Sequence, residues 1–172
     1  VTVGGGVRSI ADIKRLLASG ADKVAICTAA VEIPNLISDA AMKFGSQAVV
    51  VSIDANSSGQ AKTHCGSRDA GFTAIDLALE SERLGAGEIL LNSVDRDGTL
   101  DGYDIDLIRK VADAVDIPVI ACGGCGSYEH IAEVLYSTKA HAVGVGAAFQ
   151  FLEITPKGAA RYLHEQGFQV RL

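Results

Sequence analysis

The sequence predicts an α/β fold on a parallel sheet, specifically part of a (β/α)₈ barrel, and three observations point there. Short apolar runs alternate with longer amphipathic segments about six times along the chain, the pattern of βα units that feed a parallel sheet. Glycine or a carboxylate follows nearly every apolar run: Gly4-Gly5-Gly6, Asp54, Asp95 to Gly98, Gly123-Gly124 and Gly144 to Gly146. A doubly wound sheet concentrates one glycine-rich turn near its first strand, whereas a barrel builds one shared site from many successive strand ends. Glycine is also abundant, at 19 of 172 residues, while aromatics are 5% with no Trp, so aliphatic side chains fill the core and turns are tight. A full barrel takes roughly 250 residues and eight strands. The expectation is therefore a single partial barrel domain over 1–172, holding about strands 3 to 8, with two βα units missing from the front.

In chain order, Val1-Thr2-Val3 is a short strand ending in three glycines. Ser9 caps a helix from Ile10 to Leu17, whose Ile10, Ile13, Leu16 and Leu17 share one face. Lys23 to Cys27 is a strand, and Pro34 opens a helix to Phe44. Ala48 to Ile53 is continuously apolar and β-branched, which predicts a strand buried on both faces. Ala55 to Gly71 is polar and reads as a long connection with a small hairpin around Gly59. Phe72 to Leu84 is a helix, Glu88 to Leu91 a strand, Tyr103 to Val115 a helix and Pro118 to Ala121 a strand. Ser127 caps a helix to Leu135, Ala142 to Val145 is the last clear strand, and Pro156 to Glu165 is a terminal helix.

Composition excludes several classes. The formal net charge of -6 argues against nucleic-acid binding, which leaves a basic footprint. No apolar run reaches the ~18 residues that span a bilayer, and Val1 to Gly6 shows no signal-peptide pattern. The expected compartment is the cytoplasm, where the four cysteines stay reduced. Cys122 and Cys125 form a C-x-x-C, but no second pair completes a zinc set, and the preceding apolar run reads better as a buried strand end. No metal is expected. The four histidines match no ligand motif and read as structural or surface residues.

Three constellations carry chemistry. Asp54 follows the apolar strand directly, which sets its carboxylate at the mouth of a sheet, half out of water and placed for general acid or base work. The equal alternative is that it opens the next turn. Asp95-Arg96-Asp97-Gly98-Thr99 follows another strand. If that segment stays extended, Asp95 and Asp97 point to one side, and with Asp54 they give carboxylates on neighbouring strand ends; otherwise they order a loop by pairing with Arg96. Finally, Gly5-Gly6, Thr28, Gly123-Gly124 and Gly144 to Gly146 are suited to letting backbone N–H groups approach phosphate. Two such clusters on opposite sides of a barrel suit a substrate with a phosphate at each end.

The stretches Thr2 to Gly6, Gly20 to Val24, Thr28 to Val31, Phe44 to Gln47, Val49 to Asp54, Gly85 to Leu91, Asp95 to Thr99 and Gly102 to Asp104 resemble, in order, the cyclase subunits of the imidazole glycerol phosphate synthases. The related isomerase of histidine synthesis shares the RDGT motif, but Gly102-Tyr103-Asp104 and Phe44 to Gln47 are similar to the cyclase. The resemblance implies a (β/α)₈ barrel that takes ammonia from a glutaminase partner. It would use that ammonia to convert a bisphosphorylated aminoimidazole-carboxamide ribonucleotide into imidazole glycerol phosphate and AICAR, with no cofactor. It implies that Asp54 is one catalytic carboxylate, that a second sits on a strand absent from this chain, and that Asp97 assists. Gly6 and Thr28 would hold one phosphate; Gly98, Gly123, Gly124, Gly146 and Ala147 would hold the other. Lys23 and Glu88 match charged residues at the ammonia entrance, and Asp22 matches a glutaminase contact.

The chain departs from that pattern at Cys27 (usually Asn), Asn92 (usually Thr), Cys122 (usually Ser) and Ala147 (usually Ser). The Leu-Leu-Asn-Ser and Ala-Cys-Gly-Gly segments resemble a paralogous branch that acts with its own amidotransferase in amidino modification of bacterial surface sugars. That branch is the alternative reading. A third is an inactive fragment serving as a binding or assembly module.

Overall fold

A computed structural model describes residues 1–171. The elements, in chain order, are β1 (Thr2–Gly4), α1 (Ile10–Ala18), β2 (Lys23–Ile26), α2 (Thr28–Glu32), α3 (Asn35–Phe44), a 3₁₀ turn (Ser46–Ala48), β3 (Val49–Ala55), β4 (Gln60–Thr63), β5 (Arg68–Thr73), α4 (Ala74–Arg83), β6 (Glu88–Ser93), α5 (Ile105–Ala114), β7 (Val119–Cys122), α6 (Tyr128–Ser137), β8 (Ala142–Val143), α7 (Ala147–Phe151) and α8 (Pro156–Glu165).

Six strands pair in parallel in the order β1-β2-β3-β6-β7-β8. Each new parallel strand joins the same side of the last, with no reversal. A doubly wound sheet reverses once, and the ligand crevice lies at that reversal; a barrel wall never does. The sheet curls as an incomplete barrel. A direct sign of the curl is the Lys23–Glu88 ion pair, 2.8 Å between Nζ and Oε2, which reaches from β2 to β6 over the intervening β3.

Strand alternation divides the side chains between two faces. Val24, Ile26, Val49, Val51, Ile53, Ile89, Leu91, Val119 and Ala121 face the helices and are almost completely buried, in one core with Ile13, Ile37, Ile108 and Ile131. The inner face carries Lys23, Ala25, Ser52, Asp54, Glu88, Leu90, Asn92, Ile120 and Cys122, all half-buried. The expectation of a strand buried on both faces holds for Val49 to Val51 but not for the end of β3, where Ser52 and Asp54 are half-buried on the inner face.

Local capping sets the helix starts. Ser9, Thr73, Asp104, Ser127 and Thr155 each accept a bond from a backbone N–H two or three residues into their helix, which satisfies a donor that has no partner inside the helix.

Several expectations are corrected. The polar stretch Ala55 to Gly71 holds more than the one small hairpin expected in it. β3 turns at Asn56 to Gly59 and pairs antiparallel with β4, as the glycine suggested, but β4 then pairs with β5 through a second turn at His64 to Ser67. Phe72 accordingly lies on β5, and α4 begins only at Ala74. The short helices α2 and α7, each five residues, are additional to the expected elements; a segment so short has too few positions to show a helical period. Asp95 to Gly98 is not extended: the amides of Arg96 and Asp97 both donate back to the Ser93 carbonyl, closing a turn. Asp95 and Asp97 therefore do not share a side by strand alternation.

Candidate functional site

Parallel register lines up the C-terminal ends of the strands. Asp54 is level with Asn92, and Asn92 is level with Cys122. These three inner-face residues form a row across β3, β6 and β7 at the rim of the sheet. Asn92 Nδ2 donates to Asp54 Oδ1 at 3.2 Å. On the other flank, Cys27 holds its thiol 4.0 Å from Asp54 Oδ2. Each carboxylate oxygen thus faces one donor from a neighbouring strand end.

Asp54 lines a cavity of about 380 Å³ with Gly5, Gly6, Cys27, Thr28 and the β4–β5 turn residues His64 and Cys65. Gly5 and Gly6 have φ of +107° and +69°, in the region that L side chains rarely adopt. Thr28 begins α2 beside them, and its Oγ1 accepts from the His64 amide at 3.1 Å. Burial pushes the Cys27 thiol up to about 11, helped by the negative charge of Asp54 and by Cys65, so at neutral pH it is a proton-bearing thiol facing a carboxylate.

A second, much smaller recess lies at the other end of the row. Asp97, Gly98, Gly123, Gly124, Gly144, Gly146 and Ala147 line it. Its shape depends on close backbone approach. A Cβ on Gly124 would collide with the Gly102 carbonyl oxygen, and Gly124 has φ +101°; the Gly102 amide donates to the Gly124 carbonyl at 2.8 Å. Tyr103, buried next to this contact, donates its hydroxyl to the Gly144 carbonyl at 3.1 Å and so holds the last strand end in place. Burial pushes the Cys122 thiol, at the end of β7, up to about 11.

The residues singled out in the sequence thus separate into groups. Gly6, Thr28 and Asp54 share the larger cavity, while Asp97, Gly98, Gly123, Gly124, Gly146 and Ala147 share the smaller one. Lys23 and Glu88 begin β2 and β6, at the opposite end of the strands from Asp54. Asp22 is exposed just before β2, where it accepts from the Val1 amine. Asp95 belongs to neither cavity; its Oδ2 accepts from the Ser57 amide at 2.8 Å and ties the β6 loop to the β3–β4 turn. Cys122 ends β7, and Cys125 lines the smaller recess and donates to the Ser127 carbonyl at 3.6 Å.

Sequence reasoning missed three contributors. His64 and Cys65 reach the larger cavity only because the β4–β5 hairpin folds back over the strand ends. No local signal marks them. Asn92 was detectable, because it lies four residues after Glu88 on a strand and alternation puts both on the inner face.

No helix among the described residues is long and apolar enough to cross a membrane, and no group of three or more potential metal ligands occurs among them. The family model described as "Histidine biosynthesis protein" matches residues 1–155. That match spans all six parallel strands and both glycine-lined recesses, and the chain belongs to the histidine biosynthesis protein family.

Proposed function

We propose that this chain supplies the catalytic rim of a cyclase that uses ammonia from a glutaminase partner. It converts a bisphosphorylated aminoimidazole-carboxamide ribonucleotide into imidazole glycerol phosphate and AICAR. The observation that carries this reading is the pair of glycine-lined recesses, one with Asp54 and the other with Asp97 in its lining, at the two ends of the Asp54–Asn92–Cys122 row. A molecule with a phosphate at each end spans such a row. Backbone amides at Gly6 and Thr28 receive one phosphate; those at Gly98, Gly124, Gly146 and Ala147 receive the other. Asp54, at the β3 end of that row beside the Gly6 and Thr28 recess, acts as general acid or base, with Asp97 assisting from the second recess. Ammonia enters past Lys23 and Glu88, at the far end of the strands, and Asp22 contributes to the glutaminase docking face.

The test is turnover by the protein of the intact open reading frame, with ammonia and the bisphosphorylated ribonucleotide as substrates. Asp54→Asn is expected to lower that turnover by ~10²–10⁴ while circular dichroism stays unchanged. Near-normal turnover by the variant removes Asp54 from the role.

A second reading is favoured by one observation: the two groups facing Asp54, Cys27 and Asn92, are both positions where the chain departs from the cyclase pattern. Under that reading the same rim serves the paralogous branch that acts in amidino modification of surface sugars. Growth rescue of a cyclase-deficient histidine auxotroph by the intact gene separates the two, because only the first reading predicts rescue.

A further inference from the structure

The larger cavity holds two thiols that the proposed chemistry does not use. Cys27 follows β2 directly, half-buried, with its Sγ against Asp54; Cys65 is exposed, on the β4–β5 turn. Both line the same cavity. The hydrogen bond from the His64 amide to Thr28 Oγ1, 3.1 Å, joins the immediate chain neighbours of the two cysteines and holds the turn over the end of β2. His64 and Cys65 both have left-handed backbone, φ +53° and +56°, which folds the turn back sharply at this point.

From this arrangement we infer that Cys27 and Cys65 form a peroxide-oxidisable dithiol whose disulfide straps the β4–β5 turn across the cavity that holds Gly6, Thr28 and Asp54. The exposed Cys65 reacts first. Its thiolate sulfur attacks one peroxide oxygen; an S–O bond forms, the O–O bond breaks, and the departing hydroxide takes a proton to become water. Cys65 is then a sulfenic acid. The Cys27 sulfur attacks the Cys65 sulfur; the S–S bond forms, the S–O bond breaks, and hydroxide leaves. The Cys27 proton passes to that hydroxide by way of the Asp54 carboxylate beside it, giving a second water. In sum, two thiols lose two electrons and two protons to one hydroperoxide, which is reduced to two waters. Cys27 suits the second step: half-buried and protonated, it is a poorer first target than the exposed Cys65 but a partner at hand once Cys65 carries a leaving group. The bond needs the two Cα atoms within about 7 Å, and the hydrogen bond from the His64 amide to Thr28 Oγ1 ties together the residues next to each cysteine.

The experiment treats the full-length protein with a few equivalents of hydrogen peroxide, blocks remaining thiols with N-ethylmaleimide in acid, and maps tryptic peptides without reduction. The expected product is the intact chain less two hydrogens, with peptide Val24–Lys43 joined to peptide Thr63–Arg68, and full reversal by dithiothreitol. Cys65→Ser and Cys27→Ser should each abolish that cross-linked peptide. A sulfinic acid at Cys65 with Cys27 still blocked by maleimide overturns the inference. So does a disulfide that maps instead to Cys122 and Cys125 or to two separate chains. The map on the unmodified protein decides the matter even if either variant fails to fold, and it reads no turnover, so it stands or falls apart from the proposed cyclisation.

Discussion

Asn92 and Asp54 stand level on adjacent parallel strands, and the amide of one donates to the carboxylate of the other at 3.2 Å. Side chains that are level on neighbouring strands and on the same face are held side by side by the backbone ladder itself. Asn92 is thus a positioning residue: it fixes one oxygen of Asp54 and leaves the other toward Cys27 and the cavity. Asn92→Ala in the intact protein is expected to lower kcat of the proposed reaction by about 10–100-fold with little change in KM, because small displacements of a catalytic group cost that much. Asn92→Gln, which keeps the donor, should recover part of the loss. A change in KM alone would mean that Asn92 binds substrate rather than orients Asp54.

Sterics alone require glycine at position 124. Its φ of +101° and the Gly102 carbonyl oxygen, which occupies the space a Cβ would need, leave no room for alanine. Gly124→Ala is expected to destabilise the fold by about 1–3 kcal/mol from backbone strain, with the clash adding to it, and to open the smaller recess. Urea denaturation measures the first. A midpoint within error of the parent would show that the loop relaxes freely.

Lys23 and Glu88 bridge over β3 on the inner face, with the Lys side chain 38% exposed and the Glu 15%. Because water still reaches the lysine, the coupling should be modest, about 1 kcal/mol by double-mutant cycle using Lys23→Met and Glu88→Gln. Lys23→Met alone should cost more than Glu88→Gln alone, since it leaves the better-buried carboxylate without its cation. Equal costs would place both groups in bulk-like solvent.

Stability should fall in alkali. Burial pushes the thiols of Cys27 and Cys122 up from 9.0 to about 11. In the window between those values the unfolded chain has already lost the two protons that the folded chain keeps. Folded stability is therefore complete below about pH 9 and declines as pH rises toward about 11. The urea midpoint measured across that window should drop, and Cys27→Ser with Cys122→Ser should flatten the decline. An unchanged slope in the double variant would assign the loss to other groups.

The sequence by itself determined the parallel α/β character, the caps at Ser9 and Ser127, the helix from Pro156 to Glu165, and the presence of two glycine clusters and an Asp at strand ends. All of these are local: a period, a cap or a breaker acts within a few residues of where it is read. Tertiary structure decided which strand end neighbours which. Register alone made Asn92 the partner of Asp54, a turn rather than an extended run parted Asp95 from Asp97, and a second hairpin carried His64 and Cys65 over Thr28. Such contacts join residues tens of positions apart, and they are set by hydrogen-bond ladders and core burial summed over the whole sheet, which no short window of sequence contains.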